Sequence, residues 1–270
     1  MTLALSALHI YPVKGLKGIE LTEALCTERG LEHDRRFMLV DPSGNFLTQR
    51  DHPRMATVWT DTADDELRLS APDAGEVALE ADPADGEPMT VQVWASTCRA
   101  IAPSSEADRW LSDYLGLPCR IVFMPDSTLR LSNSESAGVG KLVSFADGYA
   151  YLLTAESSLA DLNARLAAKG HRSLPMNRFR PNLVISGSEA FAEDEWNEIR
   201  IGAAILRVAK PCGRCRVTTT DQTTGEVMGP EPLATLSTYR DSHEFGVRFG
   251  MNLVTVLPGS VRVGDRVSLG

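Results

Sequence analysis

Short runs of β-branched and apolar residues recur along this chain, and they limit its fold more than any other feature. FMLV (residues 37–40), LRLSA (67–71), TVQVW (90–94), RIVFM (120–124), NLVISG (182–187), ILRVA (205–209), RVTTT (216–220) and VTVL (254–257) are each about one strand long. Flat and branched side chains of this kind pack well on a pleated, half-buried surface. Turn signals stand between several of them: DPSG (41–44), DQTTG (221–225) and LPGS (257–260). The opening MTLALSALHIYPVKG reads as a further strand, and SVRVGDRVSLG at the other end as a closing strand pair. Two segments have helical spacing instead. SSEADRWLSDYLG puts Ala107, Trp110, Leu111, Tyr114 and Leu115 on one face, behind a Ser105/Asp108 capping pair and before Gly116. AESSLADLNARLAAKG is closed by Gly170. Strands do not alternate with helices as a parallel α/β sheet requires, and no repeat of fixed period is present. The expected class is mainly β with some α (α+β), arranged as barrels or sandwiches.

At 270 residues the chain has room for roughly two domains of the usual ~150 residues, with a sizeable core. Ser, Gly and Pro collect in MPDSTLRLSNSESAGVGK (124–141), where periodicity lapses; this is a linker or a binding loop, and a division into residues 1–125 and 126–270 is expected there. The first uncharged run ends at His9 and Lys14, short of the ~20 residues that span a bilayer, and no basic n-region precedes it. Cys26, Cys98, Cys119, Cys212 and Cys215 form an odd set without repeated spacing, which fits reduced thiols and a cytoplasmic protein. A formal charge of −9 makes nucleic acid and anionic membranes poor general partners, so any anion must bind at a local cluster of cations. A monomer is expected.

Most familiar chemistries fail on spacing. SAGVGK resembles the end of a phosphate-binding loop, but Glu135 stands where its first glycine belongs and Leu142 where a hydroxyl would hold magnesium. The histidines, His9, His33, His52, His171 and His243, are scattered singly, so no zinc-protease helix exists. ISGSEA lacks the G-x-S-x-G of a serine hydrolase elbow, and no glycine-rich dinucleotide fingerprint occurs.

The thiol pair in KPCGRCRVTTTD (210–221) is different. Cys212 and Cys215 suit a redox couple, part of a zinc site, or a thiolate ligand to a softer metal; two inert core thiols are the plain alternative. Closed zinc sites need four N or S ligands, and neither a second Cys pair nor a paired His motif is present. A thioredoxin-like couple should open a helix, whereas RVTTT is strand chemistry. Gly213 and Arg214 between the thiols argue for a loop.

YPVKGLKG (11–18), HDRRFMLVD (33–41), RFRPNLVISG (178–187) and CGRCRVTTTDQTTG (212–225), in that order, resemble the MOSC molybdenum-cofactor proteins, and among them the amidoxime reducing components and their bacterial relatives. The resemblance covers nearly the whole chain. It implies an N-terminal β-barrel-like domain packed on a MOSC β-barrel domain. The implied cofactor is the molybdenum cofactor (Mo-molybdopterin), with no need for pyridoxal phosphate. The implied activity is reduction of N-hydroxylated or N-oxide compounds; a non-enzymatic carrier of the cofactor or of sulfur is the alternative.

By the same resemblance Cys215 is the metal-ligating thiolate and the catalytic residue, while Gly213 and Arg214 surround the cofactor and Cys212 is a bystander. Lys14, Arg35 and Arg180 match cofactor-contacting positions, and guanidinium groups suit bidentate contact with phosphate or pterin oxygens. Asn182 is expected to hydrogen-bond the pterin. Four positions depart from the mitochondrial relative: Gly148 and Tyr149 replace two hydroxyl residues, Gly15 replaces a Ser, and Asn252 replaces a Tyr, so contacts there would run through the main chain. No cysteine follows Cys215 to build an iron–sulfur cluster, and no flavin or NAD motif appears. Electrons would therefore come from a separate ferredoxin, flavodoxin or cytochrome b5-like protein, an acidic partner steered by Arg35, Arg36 and Arg214.

Overall fold

The structure, a computed structural model, describes residues 2–270. Most of the runs picked out above are strands. An eight-stranded mixed sheet has the order Val267–Leu269, Glu198–Ile201, Ala204–Gly213, Arg248–Leu257, Tyr151–Ala155, Leu183–Ser186, Ala4–Ile10, Ile19–Leu21. A five-stranded sheet has the order Glu87–Val93, Ser96–Ala102, Arg120–Phe123, Phe37–Val40, Val13–Lys14, and two three-stranded sheets complete the β structure. Helices Ser105–Leu115 and Glu156–Ala168 are the two foreseen from their spacing. The fold class is thus mainly β with some α. Among the described residues no helix is long and apolar enough to cross a membrane.

One crossover places the site. Strand Ala4–Ile10 pairs antiparallel with Leu183–Ser186, from Ala4 opposite Ser186 to Leu8 opposite Leu183, and so belongs to the sheet of the C-terminal half. Three residues later Val13–Lys14 pairs parallel with Phe37–Val40 in the other sheet. Tyr11 and Pro12 therefore carry the chain from one sheet to the other, and Lys14, Gly15 and Arg35 fall at that junction.

Separate apolar cores hold the two sides rigid. Leu5, Leu8, Tyr151, Leu153, Leu183, Leu206 and Leu253 pack together under the eight-stranded sheet, while Val13, Phe37, Leu39, Leu111, Ile121 and Phe123 pack beneath helix Ser105–Leu115. Each such side chain contributes about 1.5–3 kcal/mol by leaving water.

Three expectations need correction. RVTTT is not a strand: Arg216–Thr219 is one turn of 3-10 helix. Its hydroxyls bond backward, Thr218 Oγ1 to the Cys215 carbonyl at 3.0 Å and Thr219 Oγ1 to the Arg216 carbonyl at 2.7 Å, and such local bonds compete with a sheet ladder. The strand that spoke against a dithiol couple is therefore absent. The first helix is capped by Ser104, whose Oγ accepts from Ala107 N at 3.1 Å, and not by Ser105. Asp108 instead accepts from Ile121 N at 2.7 Å and ties the helix to its neighbouring strand. Finally, the closing strands do not pair with each other: Gly259–Arg262 pairs with Glu23–Thr27, and Val267–Leu269 with Glu198–Ile201.

Candidate functional site: a cationic cleft beside a thiol

The junction opens into a cleft of about 180 Å³. Lys14 is buried on its wall, ion-paired with Asp147 and 5.4 Å from the centre of the Phe46 ring. Burial pushes its ammonium below the ordinary value, and Asp147 only partly restores it. Next to it, Gly15 has φ +84, and a Cβ there would lie 2.7 Å from the Met55 methyl, so the backbone stays bare at that point.

Arg35 and Arg180 come from opposite halves of the chain and meet over Tyr11, their guanidinium carbons 4.6 and 4.2 Å from its ring centre. Both have left-handed backbones, φ 51 and 55, a conformation that costs a non-glycine residue on the order of 1 kcal/mol and recurs at functional sites. Asp34, 3% exposed, accepts from Tyr11 N at 2.7 Å and pairs with Arg35. Burial alone would lower Arg35; the Asp34 carboxylate and Tyr11 reverse this and hold it above its ordinary value. Arg180 has no such carboxylate. Burial pushes it down to about 10, and Arg35 alongside pushes the same way. The Tyr11 hydroxyl is pushed up to about 12 by burial.

Strand Ala204–Gly213 delivers the thiol loop. A Cβ on Gly213 would lie 2.4 Å from the Phe245 carbonyl, so only glycine fits. Arg214 donates to the Phe179 carbonyl at 2.7 Å and to Cys212 Sγ at 2.9 Å, while its buried Nε has no partner. Cys215 starts the 3-10 turn, its carbonyl accepting from Thr218 N at 3.1 Å. Among the described residues its Sγ makes no hydrogen bond. The two thiols thus differ: Cys212 is held by a guanidinium, and Cys215 is left available.

Every site residue named from the sequence lines this cleft: Lys14, Gly15, Arg35, Gly148, Tyr149, Arg180, Asn182, Gly213, Arg214, Cys215 and Asn252. Their roles differ in detail. Asn182 is fully buried and its amide is largely committed: Oδ1 accepts from Leu152 N at 3.1 Å and Arg35 at 3.2 Å, and Nδ2 donates to the His9 carbonyl at 3.1 Å. Gly148 has nothing within 4 Å of where a Cβ would sit, so its backbone faces open space. The Tyr149 hydroxyl is engaged with Ser136 and Asn252 donates to the Pro211 carbonyl at 3.2 Å. Of the three arginines expected to steer an acidic partner docked near the pocket, Arg35 and Arg214 line the cleft, while Arg36 is 17% exposed and bound to Asp126 and the Met124 carbonyl.

Other participants had no signal in the sequence. Arg50 and Asp147 also line the cleft. Asp147, its side chain 58% exposed, converges with Lys14, Arg50 at 3.7 Å and Trp94 Nε1 at 3.1 Å; the partial loss of water around it would raise its carboxyl, and the two cations outweigh this and hold it well below the usual range. Arg130, 5% exposed, binds the carbonyls of Ser144, Ala146 and Asp147 and so fixes that loop from behind. Gln49 and Gln222 are buried in a reciprocal amide pair that also reaches the Gly15 carbonyl and Arg180. Arg178, 2% exposed, donates to the Thr218 carbonyl at 2.9 Å and steadies the turn behind Cys215. Among the described residues no group of three or more His, Cys, Asp or Glu is gathered.

Cations around one carboxylate, with a free thiol, thus line a cleft at the junction of two β units. The MOSC N-terminal beta barrel domain matches residues 2–118 and the MOSC domain residues 141–268. Mitochondrial amidoxime-reducing component 1 of Mus musculus is 36% identical over 97% of this chain and 81% of its own length. The Homo sapiens protein of that name is 34% identical with the same coverage. Molybdenum cofactor sulfurase of Solanum lycopersicum is 30% identical over 97% of this chain, which spans 35% of that protein. The chain belongs to the MOSC family, as a two-domain member with the amidoxime-reducing components among its relatives. The crystal structure of YUAD protein from Bacillus subtilis superposes over 99% of this chain and 94% of its own at TM-score 0.41 and 10% identity, too loosely to carry an argument.

Proposed function

We propose that this protein is a molybdenum-cofactor-dependent reductase of N-hydroxylated compounds that draws its electrons from a separate redox protein. The observation that carries this reading is the make-up of the cleft. Lys14, Arg35, Arg50, Arg180 and Arg214, five cations, face it with the single carboxylate of Asp147, in a chain whose formal charge is −9. The relatives' names, which speak of amidoxime reduction and of the molybdenum cofactor, agree with it.

A molybdopterin brings a terminal phosphate, a hydrogen-bonding pterin and a metal held by dithiolene sulfurs, and so calls for cations, amides and a soft ligand. The donor set fits. Arg35, Arg180 and Lys14 would meet phosphate or pterin oxygens, the unpartnered Nε of Arg214 offers a donor, and the bare backbone at Gly148 permits close approach. Cys215 would give its thiolate to the metal. When bound, the cofactor supplies the two-electron chemistry that removes the hydroxyl oxygen from nitrogen. The chain's own part is electrostatic and positional. Arg35, braced by Asp34 and Asn182, and Arg180, braced by Gln222, hold fixed charge where bulk water would otherwise screen it.

The test is turnover of benzamidoxime or hydroxylaminopurine by molybdenum-loaded protein with reduced methyl viologen. Reduction that requires the loaded protein is the expected result. A loaded protein that reduces neither compound, yet surrenders its cofactor to an apoenzyme, would be a carrier and would overturn the reading.

A further inference from the structure

Trp94 breaks two local rules at the edge of the cleft. Strands Glu87–Val93 and Ser96–Ala102 pair Val93 with Ser96, so Trp94 and Ala95 form a two-residue hairpin loop. Such loops favour Gly, Asn or Asp where φ is positive, and Trp94 has φ 54. The indole is also 44% exposed, although a ring of that size is normally packed away. Strained backbone and exposed aromatic surface together mark a residue kept for contact with something else.

Its surroundings say where that contact is. Nε1 donates to Asp147 Oδ1 at 3.1 Å, and the Arg50 guanidinium carbon lies 4.7 Å from the ring centre. Asp147 and Arg50 both line the cleft that Cys215 lines. Phe46 packs against the ring at 4.9 Å and 59°, bracing it from the side. The indole is thus pinned through its N–H, braced by Phe46 and covered on one face by the Arg50 guanidinium, while 44% of the residue stays exposed beside the cleft. A flat π surface held in this way is suited to stacking on a planar ring.

Resting on the reductase reading, we propose that Trp94 is a specificity-determining residue: it stacks on the planar body of an aromatic N-hydroxylated substrate and makes the protein prefer aryl over small alkyl amidoximes. The chemistry at the N–OH group is the same for both kinds, so the effect belongs in KM.

The test compares benzamidoxime with acetamidoxime, using reduced methyl viologen so that docking of a protein donor plays no part. Trp94→Ala should raise KM for benzamidoxime about tenfold, the scale of a lost aromatic contact, with kcat and the acetamidoxime KM changed less than about twofold. Trp94→Phe should keep most of the preference. Trp94→Gly should lose it while holding Tm within a few degrees, because glycine adopts the left-handed conformation freely, which separates recognition from folding. Equal changes for both substrates, or none for either, would overturn the proposal. Calorimetric binding of benzamidoxime to loaded protein separates the two readings. Trp94-dependent binding without turnover would sink the reductase and spare this inference; turnover and binding of both substrates indifferent to Trp94 would do the reverse.

Discussion

Asn182→Ala is the perturbation that best separates a structural from a ligand-contacting role. The sequence gives this side chain to the pterin, whereas the structure commits it to Leu152 N, the His9 carbonyl and Arg35, at zero exposure. Two bonds between neutral partners at about 1 kcal/mol each, and one to a charged partner at about 1.5–3, sum to roughly 4 kcal/mol. Against a total stability of about 5–15 kcal/mol that is a large share, and it corresponds to a fall in Tm of about 10 °C. The assay is urea and thermal denaturation of the cofactor-free protein, where no ligand contact contributes. Because Arg35 loses a brace as well, affinity of the cofactor-free protein for pyrophosphate should fall. A change below about 1 kcal/mol in the cofactor-free variant would refute the reasoning and return Asn182 to direct ligand contact.

Three further outcomes follow from the site and its surroundings. Cys215→Ala should abolish benzamidoxime turnover while leaving Tm nearly unchanged, and Cys212→Ala should retain much of the activity; equal losses, measured side by side, would favour a dithiol couple. Glu193 is fully buried with the Ser158 hydroxyl at 2.7 Å, and burial raises its carboxyl above the ordinary 4.5. The folded state therefore binds that proton more tightly than the unfolded one, and stability falls as pH rises from 4.5 through the raised value. Glu193→Gln should remove this loss, so its Tm relative to wild type should improve between pH 4 and pH 7; a constant or shrinking difference contradicts the sign. With NADH alone the protein should be inert, with reduced viologen active, and an added carrier with its reductase should restore NADH dependence; turnover on NADH without a carrier would remove the need for a separate donor.

Pattern made the strands legible, because period and composition reflect a pleated surface buried on one or both faces. It failed where local chemistry competed. Thr218 and Thr219 look like strand residues, but in the structure their hydroxyls close a turn on the carbonyls of Cys215 and Arg216. The motifs brought Lys14, Arg35, Arg180 and Cys215 to notice because each lies in a recognisable string. Arg50, Asp147, Arg130 and the Gln49–Gln222 pair lie in no such string. They matter only because strand Ala4–Ile10 joins one sheet and Val13–Lys14 the other, a crossover that closes distant segments onto one cleft. In the sequence Trp94 is only the end of a strand run; its exposure and positive φ exist only in three dimensions.

The most direct test of the central claim is the metal and pterin content of protein purified from a host that makes the molybdenum cofactor. Wild-type protein should carry close to one molybdenum and one pterin per chain. Arg180→Ala should lose both together, because the cationic wall holds the organic part, whereas Cys215→Ala should retain pterin with a changed metal spectrum. Wild-type protein that carries zinc, or neither metal nor pterin, from such a host would contradict the account.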